Sequence, residues 1–194
     1  MAKDSETISP KRARTRERLI EAAAEIIAQK GFQGATLDEV AARAGLTKGA
    51  IYDNFNSKDE LFFAVVMAKP QRLPLPDKPA GGAKAKMAAM AEAAIADGEN
   101  ARLQIPLRAE FLLYTLSHQE MSQRVAPWMK AGFAAERERV MQVFSKDELP
   151  MSPDAFVLML QAMIPGLMYL RSQSSELVSD DLIREIFEGL APKA

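Results

Sequence analysis

The chain has 194 residues, 48% of them apolar and 26% charged, with a formal net charge of −1, no cysteine and a single histidine, His118. This length fits one large domain or two small ones, and so apolar a composition excludes a disordered chain. The lack of thiols excludes disulfides and thiolate metal centres, and one imidazole leaves little for a histidine metal site or a nucleophilic triad.

The N-terminus, MAKDSETISPKRARTRERL, has no apolar stretch of signal-peptide type. No apolar run approaches the ~20 residues of a membrane span. The sequence therefore reads as soluble and cytoplasmic. Its charge is uneven: between Pro10 and Lys58 nine Lys/Arg stand against six Asp/Glu. Five of the nine, Lys11, Arg12, Arg14, Arg16 and Arg18, fall within eight positions. A basic start on a mildly acidic body points to an anionic partner. A first helix follows, with Leu19, Ala23, Ile26 and Ile27 at helical spacing, Thr15 as a cap and Gly31 as its end. Thr36 caps a second helix and Glu39 completes a capping box. Leu37, Val40, Ala41 and Ala44 line one face, and Gly45 sits where a left-handed residue is wanted. Thr47 caps a short third helix ending near Asn54. Ser57 opens a fourth, with Glu60 at its capping-box position.

The stretch KPQRLPLPDKPAGG, Lys69 to Gly82, reads as a linker and as the best domain boundary. Beyond it, AKAKMAAMAEAAIADG is strongly helix-prone. Further helix patterns run from Arg102 to His118 and from Pro127, at an allowed first-turn position, to Phe144. Two more run from Ser152 or Pro153 to about Leu170, with Pro165 expected to kink the helix, and from a capping Asp180 through Leu190. No segment has the two-residue alternation of strands. The fold class is all-α, with about nine helices. The chain reads as two domains, 1–56 with a basic arm and the paired short helices, and 57–194 a larger helical body.

Two short helices joined at Gly45 outline a helix-turn-helix. Leu46, Ile51 and Phe55 supply the packing side of the second, and small alanines in the first allow close approach. The residues left to project suit DNA. Lys48 can meet a phosphate or a guanine edge. Gly49 and Ala50 let a backbone come near, and the Ala50 methyl can touch a thymine methyl. Tyr52 offers a hydroxyl to phosphate and a ring to sugar. Thr36 and Thr47 sit at helix N-termini, where free N–H groups favour phosphate. Lys58 stands in the first turn of a helix, where a cation gains nothing from the dipole, which makes sense if a phosphate lies there too. The arginine-rich arm could reach a neighbouring backbone or minor groove.

The stretch TRERLIEAAAEIIAQKGFQGATLDEVAARAGLTKGAIYDNFNSKDELFFAVV resembles the N-terminal region of the TetR family of bacterial transcriptional regulators. The resemblance covers about residues 15 to 66. It rests on the GF-x-x-AT entry to the second helix, the AG-x-x-KG-x-IY-x-x-F turn and recognition helix, and the SK-x-EL opening of the fourth. It implies a homodimer that binds a palindromic operator, usually as a repressor. The residues themselves show no carboxylate pair with a supporting nucleophile, metal cluster or phosphate loop, so neither an enzyme nor a cofactor is expected. The resemblance also implies DNA contacts from Thr36, Thr47, Lys48, Gly49, Tyr52, Asn54 and Lys58. Asp53 and Asn54 depart from the aromatic, basic or histidine residues that many members carry there. Asp53 near phosphates would repel, so it either faces away or accepts from a cytosine amino group.

For the C-terminal helices the resemblance is architectural. Met87, Met90, Phe111, Tyr114, Met121, Trp128, Met129 and Phe133 are flexible or aromatic and could line a cavity for a small-molecule effector, with His118 as a polar contact. Phe156, Leu160, Met163, Leu167 and Leu170 make one apolar seam. Leu182, Ile183, Ile186, Phe187 and Leu190 make another, and two copies could join these into a four-helix packing. The alternative function is an all-α module that binds a small molecule or a protein and ignores DNA.

Overall fold

The computed structural model describes residues 9–68, 72–77 and 81–192, and in the last stretch all side chains except those of 99–103. Residues 1–8, 193–194 and, within the Lys69–Gly82 linker, 69–71 and 78–80 lie outside the described residues. Among the described residues the fold is all-helical: α1 (Pro10–Gly34), α2 (Leu37–Ala44), α3 (Lys48–Tyr52), α4 (Lys58–Ala68), α5 (Ala83–Ala96), α6 (Gly98–Ser117), α7 (Gln119–Val143), a 3-10 turn at Lys146–Glu148, α8 (Pro153–Gln173) and α9 (Asp180–Gly189).

Several boundaries differ from the sequence expectation. α1 begins at Pro10 with Ser9 as its cap, and the Thr15 hydroxyl instead donates back to the Lys11 carbonyl. The arginine-rich segment is thus helix rather than a free arm. α7 begins at Gln119, so Pro127 lies inside it and not in its first turn. Ser179, not Asp180, caps α9 by accepting from the Leu182 N–H. α8 is assigned as helix straight through Pro165.

The chain divides into two compact units. The first holds the described part of residues 1–70 together with Pro106–Leu113 of α6. It takes in α4, which a boundary after residue 56 would assign elsewhere. The reason is burial: Leu61, Phe62, Ala64, Val65 and Val66 are all buried, and Leu19, Ala22, Ala23 and Ile27 of α1 are buried with them. Phe62 stacks on Phe32 with ring centroids 3.9 Å apart and meets Phe111 edge-on at 5.7 Å. α1 breaks at Gly31, whose φ of 73° and ψ of 166° favour glycine strongly. Beside this break the Phe32 N–H donates to the Glu110 carboxylate at 2.5 Å.

The second unit has its own core, in which Met87, Met90, Phe144, Phe156, Leu160, Ile183 and Phe187 are fully enclosed. α5 packs on α9 and α7 on α8. Two polar clusters tie its loops down. Buried Glu136 accepts from the Leu73 N–H and from Arg139. Glu148 accepts from the Lys86 ammonium at 2.7 Å and from the N–H and hydroxyl of Ser145. These bonds hold its carboxyl below the ordinary 4.5, at about 2, the Lys86 bond contributing most.

Candidate nucleic-acid interface

The first three helices of the first unit are set by local chemistry. The Thr36 hydroxyl accepts from the Glu39 N–H, and the Glu39 carboxylate accepts from the Thr36 N–H, closing the reciprocal cap. Gly45 ends α2 in the left-handed conformation, φ 62° and ψ 39°. Thr47 then starts α3 by accepting from the Ala50 N–H. Ile51 and Phe55 are anchored in the core, at 0% and 1% exposure. Their burial turns the opposite side of this five-residue helix outward. Lys48, Gly49 and Tyr52 are exposed, Tyr52 by 55%, and Ala50 is half-buried.

Three arginines of α1 are spent inside this unit. Arg18 donates to the Ala44 carbonyl at 2.6 Å, at the end of α2. Arg12 and Arg16 donate to the carbonyls of Asp53 and Asn54 at 2.8 and 2.9 Å, at the end of α3. Arg16 also lies 4.2 Å over the Phe55 ring. Helix C-termini carry unsatisfied carbonyls and partial negative charge, so guanidinium groups are well placed there. A Cβ at Gly45 would stand at ordinary contact distance, 3.4 Å, from the Arg18 Nη2, so the positive φ is what favours glycine at this turn. The sequence showed these residues as a charge run. Their capping role is visible only once α1 is folded against α2 and α3.

The other expected contact residues divide. Thr36 is exposed, with its hydroxyl donating to Glu39. Lys58 has a purely internal explanation for its odd place in the first turn of α4. Its ammonium donates to the Gln33 carbonyl at 3.3 Å and sits 4.6 Å over the Phe32 ring. Asn54 turns inward: its side-chain N–H donates to the Ala50 carbonyl at 2.8 Å and its Oδ1 is buried. The Asp53 side chain is exposed. Lys48 does not stand alone either. Asp38 of α2 accepts from its ammonium at 2.9 Å and raises the Lys48 pKa. The sequence reading did not pair these two, which lie ten positions apart on different helices.

A helix-turn-helix set in this way, and the rest of the chain, have known relatives. The family model described as "Bacterial regulatory proteins, tetR family" matches residues 19–65. The HTH-type transcriptional regulator SrpR of Pseudomonas putida is 31% identical over 172 residues, which cover 84% of this chain and 78% of SrpR. The chain belongs to the TetR family of transcriptional regulators. Another relative, the uncharacterized HTH-type transcriptional regulator TtgW, also of Pseudomonas putida, is 44% identical over 61 residues, or 31% of this chain and 46% of TtgW. In fold the chain is similar to the crystal structure of a transcriptional regulator from Rhodococcus sp. Rha1. The TM-score is 0.65 at 23% identity, covering 90% of this chain and 92% of that one.

In this TetR-family member the residues expected to line an effector pocket fall in both units. Met87 and Met90 are sealed in the second unit's core, and Met121 is also buried. Phe111 belongs to the first unit, against Phe62 and Phe63. Tyr114 and His118 stack on each other, 4.0 Å between centroids, with the His118 Nδ1 2.8 Å from the Tyr114 carbonyl. Trp128 and Phe133 are half-buried and Met129 is exposed. None of them lines the polar cavity of about 600 Å³ bounded by Ile95, Ala96, Gly98 and Arg171–Glu176.

The expected dimer seam also needs correction. Phe156, Leu160, Ile183 and Phe187 have no exposed surface, so they hold their own subunit together and have nothing to offer a second copy. Met163, Leu167 and Leu190 are half-buried against the same core, and Ile186 is half-buried as well. Leu170 and Leu182 are the members of the expected set that are well exposed. The outward face of α8 carries Leu158, Ala162, Gly166, Tyr169 and Leu170. No charged residue occurs from Ala155 to Leu170. α8 is therefore long and apolar enough to cross a membrane by length and composition, which the sequence reading did not anticipate. One side of it is nonetheless built into the core through Phe156, Val157, Leu160, Ile164 and Met168.

Proposed function

We propose that this regulator binds a palindromic operator as a homodimer, that it represses by occupying the site, and that a small molecule bound in its second unit releases it. It works where the chromosome is, in the cytoplasm. The observation that carries this reading is the outward face of α3, where Lys48, Gly49 and Tyr52 are presented by a helix whose other side is anchored through Ile51 and Phe55. A residue of tyrosine's size held in solvent beside a lysine, on a helix too short to be stable alone, gains nothing for the fold. It gains a great deal against a major groove, which is wide enough to admit a helix. Thr36, Thr47 and Ala50 flank this face. Asn54 supports it from behind through its bond to the Ala50 carbonyl.

The dimer face in this reading is the apolar outer side of α8 with Leu182. Tyr114, His118, Trp128, Met129 and Phe133, which keep half-buried or exposed surface, remain the residues for the effector. Two recognition helices must then fit successive major grooves, about 34 Å apart. The effector acts by favouring a state in which they do not.

The test is binding of the purified protein to DNA flanking its own gene, across a range of salt concentrations. Wild type should bind with an affinity that falls steeply as salt rises. Lys48→Ala combined with Tyr52→Ala should weaken binding by about tenfold or more. Equal binding by wild type and double variant would reject the assignment of α3. A reporter driven from the same DNA decides between repression and activation.

A further inference from the structure

We propose that Asp38 and Lys48 act as a single reading element, which selects the major-groove edge of a G·C pair and keeps the Lys48 ammonium from binding phosphate indiscriminately. This rests on α3 being the reading helix.

The two residues come from different helices, Asp38 from the first turn of α2 and Lys48 from the start of α3, and meet at 2.9 Å. Both side chains are largely in water, Lys48 at 49% and Asp38 at 69% exposure. An ion pair that open contributes little to stability, so the fold does not explain it. Tyr52, one helical turn on from Lys48 along α3, is exposed as well. The remaining charge on this helix pair is mixed. Glu39 is taken up by Lys30, and Arg43 by Glu25. Lys48 is thus the cation of α3, and it arrives already paired.

The pairing changes what Lys48 can bind. A phosphate offers acceptors only and repels the adjacent carboxylate. To bind it, Lys48 must leave Asp38, and Asp38 must then recover a counterion from solution. That uptake cancels the ion that the phosphate releases. A G·C pair offers two acceptors, guanine O6 and N7, beside one donor, the cytosine N4 amino group. The ammonium and the carboxylate, a donor and an acceptor side by side, match that pattern with the ion pair intact.

The experiment compares wild type, Asp38→Asn, Asp38→Glu, Lys48→Ala and the Asp38→Asn/Lys48→Ala double variant. Each is titrated against a duplex of random sequence and against DNA upstream of the protein's own gene, at several salt concentrations. Asp38→Asn should steepen the salt dependence on random duplex by about 0.9 in the log–log slope, the worth of one added phosphate contact. Referred to 1 M salt, this is about eightfold tighter binding at 0.1 M. The preference for the upstream DNA should fall accordingly. Asp38→Glu, which keeps the carboxylate, should behave as wild type, and the double variant should match Lys48→Ala. A merely helix-stabilising Asp38 would not steepen the slope. An unchanged slope in Asp38→Asn, or the same change in the Lys48→Ala background, overturns the proposal. Wild type that binds neither duplex overturns the reading of α3 beneath it.

Discussion

Gly31 and Glu110 show how much a single position can depend on a residue far away in sequence. Gly31 has a φ of 73° and a ψ of 166°, a region that side chains rarely enter. A Cβ built there would stand 2.5 Å from the Glu110 Oε1. Gly31→Ala should therefore cost about 1–3 kcal/mol for the backbone alone, measured by urea unfolding. In a Glu110→Ala background the clash is gone but the dihedral strain is not. Gly31→Ala should then cost less than in wild type, though still more than zero. An equal cost in both backgrounds would show that Glu110 does not crowd the site. The interruption at Gly31 was legible from the sequence as a helix end, although α1 resumes to Gly34, and so were the Thr36 box, the left-handed Gly45 and the Thr47 cap. All of these depend on residues within a few positions of each other. The Glu110 contact was not legible, because 79 positions separate it from Gly31. The internal partners of Lys58, Gln33 and Phe32 of α1, were hidden for the same reason.

Among the elements, the reading helix is held by its neighbours more than by itself. A five-residue helix has almost no intrinsic stability. Its ends are fixed by Thr47 at the start and by Arg12 and Arg16 at the finish, while Arg18 fixes the end of α2. If these guanidinium groups are caps, Arg16→Ala and Arg18→Ala should each lower stability, by about 1 kcal/mol for a lost hydrogen bond. They should weaken DNA binding without flattening its salt dependence. If they contact phosphate instead, each loss should reduce the slope by about 0.9. The two outcomes are separable in one titration series. The 3-10 turn of the second unit offers a different check. The Glu148 carboxyl lies at about 2 in the folded protein, below its ordinary 4.5, chiefly because of Lys86. A folded-state value below the unfolded one contributes stability above about pH 4.5, and that contribution is lost as the pH falls towards 2. Thermal melts of Glu148→Gln should thus decline less than wild type over this interval, and the two proteins should respond alike to pH changes above it.

At the scale of the whole molecule the feature that spacing left open was direction. Periodicity identified α8 and α9 as apolar, but α8 is apolar nearly all round, and spacing cannot say which face meets its own core. The seam through Phe156 and Leu160 proved to be the inward one. The outward one leaves Leu158 58% and Tyr169 52% exposed, an arrangement suited to a second copy. Gly166 argues for the same face. A glycine inside a helix costs about 0.5–1 kcal/mol relative to alanine. Among the described residues, and apart from the backbone of its own helix, nothing in its subunit lies within 4 Å of where its Cβ would be, so intrasubunit packing does not require it. A symmetry-related helix approaching closely at Gly166 and Ala162 would. Gly166→Arg and Leu158→Asp should therefore leave the helical circular-dichroism signal in place while shifting sedimentation from dimer to monomer at micromolar protein. Operator affinity should fall with it, because one half-site then holds each copy alone. Gly166→Ala is the more discriminating variant. It should stabilise the isolated subunit through helix propensity yet weaken the dimer, so that its melting temperature rises at low protein concentration and falls at high. A variant that melts higher at every concentration, with sedimentation unchanged, would place the dimer contact on another face.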